Sequence, residues 1–152
     1  MYKKGKAGAS SCFSGNRKAQ FAFLPEVELK IGWGTKRNEP LPAHIWYEFE
    51  RLICPGKIMF RPLKKVLTPK EYQFIGSNDQ ECKSNSNWEA LCEKSNEEFS
   101  DFDNDWEGCE VDASKVGTEK YRCLGLKILA TGNNRGAAAL SSIKIFSSDV
   151  CY

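Results

Sequence analysis

The residues best equipped for chemistry lie in Glu97–Asp112, EEFSDFDNDWEGCEVD, which carries eight carboxylates in sixteen residues. Asp101, Asp103, Asp105, Glu107 and Asp112 fall at positions 1, 3, 5, 7 and 12 of a calcium-loop spacing. Trp106 stands where that loop needs glycine, Asp112 stands where it needs glutamate, and no flanking helices are indicated, so an EF-hand is not expected. Hard cations accept looser carboxylate arrangements, which leaves these five residues as candidate calcium ligands. The competing reading is a solvated acidic loop with Phe99, Phe102 and Trp106 packed beneath it. Paired carboxylates also hydrolyse glycosides, but that chemistry needs a fixed separation across a cleft.

Other catalytic chemistry finds little support. The chain has one histidine, His44, and no nucleophile elbow, which argues against a triad. Without a C-x-x-C pair it also argues against zinc. No enzyme is expected. The seven cysteines, at 12, 54, 82, 92, 109, 123 and 151, are many for a cytosolic domain and ordinary for a secreted one. An extracellular origin is therefore expected, although no apolar stretch follows Lys3, Lys4 and Lys6 to mark a signal peptide. An odd count leaves one thiol unpaired or joined to another chain, and Cys54, between two apolar strands, is the candidate for a buried free thiol. Cys82 and Cys92 flank a polar loop at a separation that antiparallel strands could bridge. Connectivity cannot be deduced from sequence.

Two loops combine cations with apolar side chains. Gly32–Pro42 holds Trp33, Lys36 and Arg37 among glycines and prolines. Trp33 is either tucked over the end of the core or exposed as a contact. Leu63–Lys70 sets Val66 and Leu67 amid Lys64, Lys65 and Lys70. Such a loop could touch an anionic membrane surface, or its apolar residues could fold back.

Strands must position these loops. Ile45, Tyr47 and Phe49 alternate with Trp46, Glu48 and Glu50, the period of a half-buried strand. After a turn at Pro55-Gly56, Ile58 and Phe60 alternate in a second strand, and two strands this apolar need a second sheet to cover them. Further strands are expected at Ala19–Leu24, at Val27–Ile31, at Glu71–Ser77, beyond Trp88, at Tyr121–Ala130 and at Leu140–Phe146, with a polar hairpin loop before Trp88 and a turn-forming loop at Thr131–Ala138. The expected fold is all-β, a jelly-roll β-sandwich of about eight mainly antiparallel strands, with residues 1–11 as a flexible basic arm and 12–152 as one domain. A net charge of +2 is too balanced to announce a nucleic-acid partner, and no stretch approaches a membrane span.

The order of these motifs resembles the discoidin family, the coagulation factor five/eight type C domains. HIWYEFE is similar to that family's W-L-Q-V-D-L-G strand, with Glu48 at its acidic position. EYQFIGSNDQECKSNSNW resembles the Y-x-x-x-x-S-x-D-G-x-x-W hairpin, keeping Tyr72, Ser77, Asp79 and Trp88. KYRCLGLKIL resembles A-R-Y-I-R-L-x-P, and AAALSSIKIF resembles the closing I-A-L-R-V-E-L-Y-G strand. The hairpin loop is longer and lacks the usual glycine, and the closing strand's arginine is replaced around Ser141-Ser142. The first loop, FLPEVELKIGWG, has no clear match to the family's D-G, so its calcium position does not carry over. The resemblance implies a galactose-binding-like jelly roll whose termini are joined by Cys12 and Cys151. It also implies a non-catalytic recognition or adhesion module, a lectin-like domain whose loops at one end bind carbohydrate, anionic phospholipid or a protein receptor. The contacts would be Trp33, Lys36, Arg37, Lys64, Lys65, Val66 and Leu67. The alternative is an intracellular structural subunit that uses the same sandwich for assembly.

Overall fold

A computed structural model describes residues 5–12, 18–23, 32–36, 39–62, 67–95, 106–115, 117, 119–132 and 137–148. Among them are nine strands: β1 (Gly5–Ala9), β2 (Trp33–Gly34), β3 (Ala43–Ile53), β4 (Pro55–Pro62), β5 (Pro69–Ser77), β6 (Glu89–Ser95), β7 (Glu107–Glu110), β8 (Tyr121–Thr131) and β9 (Ala139–Ser147). They form a five-stranded sheet, β1-β3-β8-β5-β6, facing a four-stranded one, β2-β9-β4-β7. Every pairing is antiparallel. The expected β-sandwich is the architecture found.

Alternation decides which side chains meet. Ile45, Tyr47 and Phe49 of β3 point into the core with Tyr72 and Phe74 of β5 and Leu124, Leu126 and Ile128 of β8. Opposite them lie Ile58 and Phe60 of β4 and Leu140, Ile143 and Ile145 of β9. Burying each such side chain stabilises the fold by about 1.5–3 kcal/mol. The two central strands do not form a hairpin around a Pro55-Gly56 turn. β3 pairs with β1 and β8, β4 pairs with β9 and β7, and Cys54 alone carries the chain from one sheet to the other. Paired neighbours would present both apolar faces to the same side; crossing between sheets lets the two faces cover each other.

Three local expectations change. Gly5–Ala9, read as part of a flexible arm, is the edge strand β1, in register with Ile45–Phe49. Its small residues serve packing, since a side chain at Gly8 would run into the indole of Trp46. Ala19–Phe23 is a 3₁₀ turn rather than a strand, and it buries Phe23 with its ring 5.3 Å from that of Tyr47. Trp33–Gly34 adds a short strand within the Gly32–Pro42 loop. The strand expected at Val27–Ile31 lies outside the described residues.

The cysteines pair across the fold. Cys82 is bonded to Cys123 and Cys92 to Cys109, with Cα separations of 6.7 and 6.3 Å. The local Cys82–Cys92 bridge does not form because the two side chains lie on opposite faces of the five-stranded sheet. Cys92 faces the core, whereas Cys82 lies on the outside beside Trp46 and Cys123. Cys92–Cys109 staples edge strand β6 of one sheet to edge strand β7 of the other. Cys54 is disulfide-bonded, not a free thiol, to a partner outside the described residues. The terminal pairing also fails on its first member: Cys12 is free and half-buried. Iodoacetamide treatment of native, unreduced protein followed by peptide mass analysis should label Cys12 and leave Cys54 unlabelled. Cys123→Ser should remove about 2–4 kcal/mol of unfolding free energy, because Cys82–Cys123 closes a loop of sequence separation 41. Urea titration reads that loss.

Candidate functional site

Antiparallel topology brings the loops of interest to one pole. β3 and β9 begin there, and β4, β6 and β8 end there, as the registers of Ala43 with Ile128, Glu71 with Ser95 and Pro62 with Leu140 require. The Gly32–Pro42 and Arg61–Lys70 segments therefore share an end with the connections that follow β6 and β8. Hydrogen bonds stitch this pole together. The Thr35 amide donates to the Ala138 carbonyl at 2.9 Å, and the Ala138 amide donates back to Thr35 Oγ1 at 3.1 Å. The Lys36 amide donates to Ser11 Oγ at 3.0 Å, the Gly132 amide donates to the Thr68 carbonyl, and Ser141 Oγ donates to the carbonyls of Arg61 and Pro62.

Within this frame the expected contacts separate. Trp33 is completely buried, and its indole N–H donates to the Ser11 carbonyl at 2.9 Å. It anchors the loop from inside and is not an exposed contact, because the β2–β9 pairing turns its ring into the core. Lys36 is exposed at the pole, and Leu67 is half-buried. Arg37, Lys64, Lys65 and Val66 lie outside the described residues. The calcium-loop spacing also comes apart. Glu107 sits in β7 opposite Phe60, whereas Asp112 lies beyond the other end of that strand, where its amide donates to the Leu91 carbonyl. Five residues of extended chain separate them by roughly 16 Å, too far for one ion. Asp101, Asp103 and Asp105 lie outside the described residues.

A cluster stands near the same pole around Trp106, which is expected from the sequence only to pack beneath the acidic loop. Trp106 is half-buried on the outer face of the four-stranded sheet. Lys144 Nζ lies 4.4 Å from its ring centroid and the Arg61 guanidinium 5.2 Å. Such cation–ring contacts hold the indole against the two cationic side chains that lie over its ring, and group an aromatic ring with hydrogen-bond donors. The usable signal was alternation: Ile58 and Phe60, then Ile143 and Ile145, point inward, so Arg61 and Lys144 must point outward.

His44 lies on the outer face of the other sheet. Its ring stacks on Trp88 with centroids 6.5 Å apart, and Trp88 tilts against Trp46 at 5.8 Å. Burial, together with the nearby Lys127 charge, lowers its pKa from about 6.5 to about 4, and among the described residues its Nδ1 has no hydrogen-bond partner. Glu48 lies near the sulfurs of Cys82 and Cys123, but a disulfide offers no thiolate to a metal, and Glu48 pairs with Arg122 at 3.1 Å. Burial and a hydrogen bond to Glu89 raise the pKa of Tyr121, keeping that phenol protonated.

The unfolded chain takes up the His44 proton more readily than the folded one. The stabilising contribution is complete above about pH 6.5 and is lost as pH falls through about 4. Thermal melts of the protein and of His44→Gln across that window should therefore converge as pH falls. A constant difference would show that His44 does not titrate in this way.

No protein-family model matches the sequence, and no curated protein does. Solved structures share its fold. A family 32 carbohydrate-binding module from Clostridium perfringens NanJ, in complex with galactose, matches at a TM-score of 0.68 and 16% identity, over 93% of this chain and 92% of that one. A Clostridium perfringens module of the same family, in complex with GalNAc-β-1,3-galactose, matches at 0.71 and 23% identity, over 94% and 95%. The F5/8 type C domain of a Bacteroides fragilis protein matches at 0.72 and 8% identity, over 97% and 94%. The fold is thus the discoidin-type sandwich shared by these domains, as the order of sequence motifs implied.

Proposed function

We propose that this domain is a non-catalytic carbohydrate-binding module working outside the cytosol. The observation that carries the reading is Trp106, half-buried between Arg61 and Lys144 near the loop pole of a fold used by sugar-binding modules. An indole face packs against the C–H surface of a pyranose, and guanidinium and ammonium groups donate to its hydroxyls. Exposed Lys36 adds a donor on the same pole. The bonded Cys54, Cys82, Cys92, Cys109 and Cys123 favour an oxidising compartment over an intracellular scaffold. Among the described residues no helix is long and apolar enough to cross a membrane.

Calorimetry with galactose and GalNAc-β-1,3-galactose, supported by a glycan array, tests the proposal. Trp106→Ala should weaken binding at least about tenfold, the loss of one aromatic contact, with little change in Tm. If no glycan binds, or if Trp106→Ala binds as well as the parent, the proposal fails.

A further inference from the structure

We infer that the outer face of β4 and β9 is a linear binding surface for an acidic polysaccharide, continuous with Trp106. This inference rests on the carbohydrate reading and adds the class of sugar. Lys57, Met59 and Arg61 occupy successive outward positions on β4, about 7 Å apart. Across the ladder, Lys57 faces Phe146 and Met59 faces Lys144. The three cations thus form a zigzag along roughly 13 Å of sheet. Aromatic rings accompany them: Lys57 Nζ lies 4.7 Å from the ring centroid of Phe146, which is 37% exposed, and Lys144 and Arg61 lie over the ring of Trp106.

Among the described residues the surface between these groups is open. Gly108 lies directly beside Met59, and a side chain there would collide with the Ile58 carbonyl, so nothing rises from β7 at that point. A groove of about 540 Å³ runs past Lys57, Met59 and Gly108. Its far side carries Glu93, which accepts a hydrogen bond from Gln73 Nε2 at 2.7 Å, while Glu110 stands directly across the β4–β7 ladder from Lys57. Lys94 on that side is turned to the Gly108 carbonyl. The carboxylates repel an acidic chain from the β6–β7 side and direct it onto β4 and β9. A uronic acid residue suits this arrangement, with its carboxylate on a cation and its apolar C–H face on a neighbouring ring. A net charge of only +2 for the whole chain disfavours a nucleic acid.

The test is affinity electrophoresis and calorimetry of the full chain with alginate, a polyuronate, and with its propylene glycol ester, which keeps the backbone and masks the charge. Alginate should bind at least about tenfold more tightly than the ester, and its affinity should fall as salt rises. Lys57→Gln should weaken alginate binding about fivefold, Lys57→Arg should restore it, and galactose binding should change with neither. Equal binding of alginate and ester overturns the inference, as does a Lys57→Gln variant that binds alginate normally. Single-stranded DNA competing equally per charge would mark a general polyanion surface and would also overturn it. Should Trp106→Ala lose galactose while Lys57→Gln keeps alginate, only this inference falls. Should Trp106→Ala change no sugar affinity, the carbohydrate reading falls with it.

Discussion

The whole molecule depends on burying two apolar strand faces against each other. β3 offers Ile45, Tyr47 and Phe49, β4 offers Ile58 and Phe60, and Cys54 is the one residue between the strands. Side chains of hydrogen-bonded neighbours stand on the same side of a sheet, so pairing these strands would leave both faces uncovered. Sending them to opposite sheets covers both at once. The crossing also directs the later strands: β8 and β5 extend the sheet of β3, and β9 joins that of β4.

The same constraint determines what faces outward. Every residue between two core positions emerges on an outer surface, and the two surfaces differ. On the five-stranded sheet, Trp46 and His44 are covered by Trp88 and by the loop that Cys82–Cys123 ties down, giving a second, smaller core. On the four-stranded sheet, Lys57, Arg61 and Lys144 lie over Phe146 and Trp106, and no comparable loop covers them among the described residues. One face is closed by packing and a disulfide; the other presents charge and aromatic surface to solvent. Cys92–Cys109 joins the sheets at the edge beside that open face, which keeps β7, and with it Trp106, close against β4.

The proposed binding in this arrangement needs little rearrangement. Buried Trp33, the reciprocal Thr35–Ala138 hydrogen bonds and the Ser141 hydroxyl hold the pole of the sandwich. A surface positioned by strands and reinforced in this way loses little conformational entropy on meeting a ligand. The proposed sugar recognition, built on weak contacts, benefits from such rigidity.

Much of the fold was legible because its signal is local. Period-two alternation in β3, β4, β5, β8 and β9, with the turn chemistry between them, was sufficient for an all-β sandwich. The order of motifs carried the discoidin resemblance. Local signals could not say which cysteines meet, because Cys82 and Cys92 differ in the face they occupy rather than in their spacing. Nor could they assign Trp33 to the interior: a tryptophan between glycines reads alike as lid or contact until β9 pairs beside it. Gly5–Ala9 looked like a tail because its small side chains signal nothing without the indole of Trp46 lying over Gly8. The sequence by itself determined the sandwich, because its signal is local alternation. Only the tertiary structure decided that Trp106 stands between Arg61 and Lys144, because those three residues come from distant segments that meet through β-sheet register.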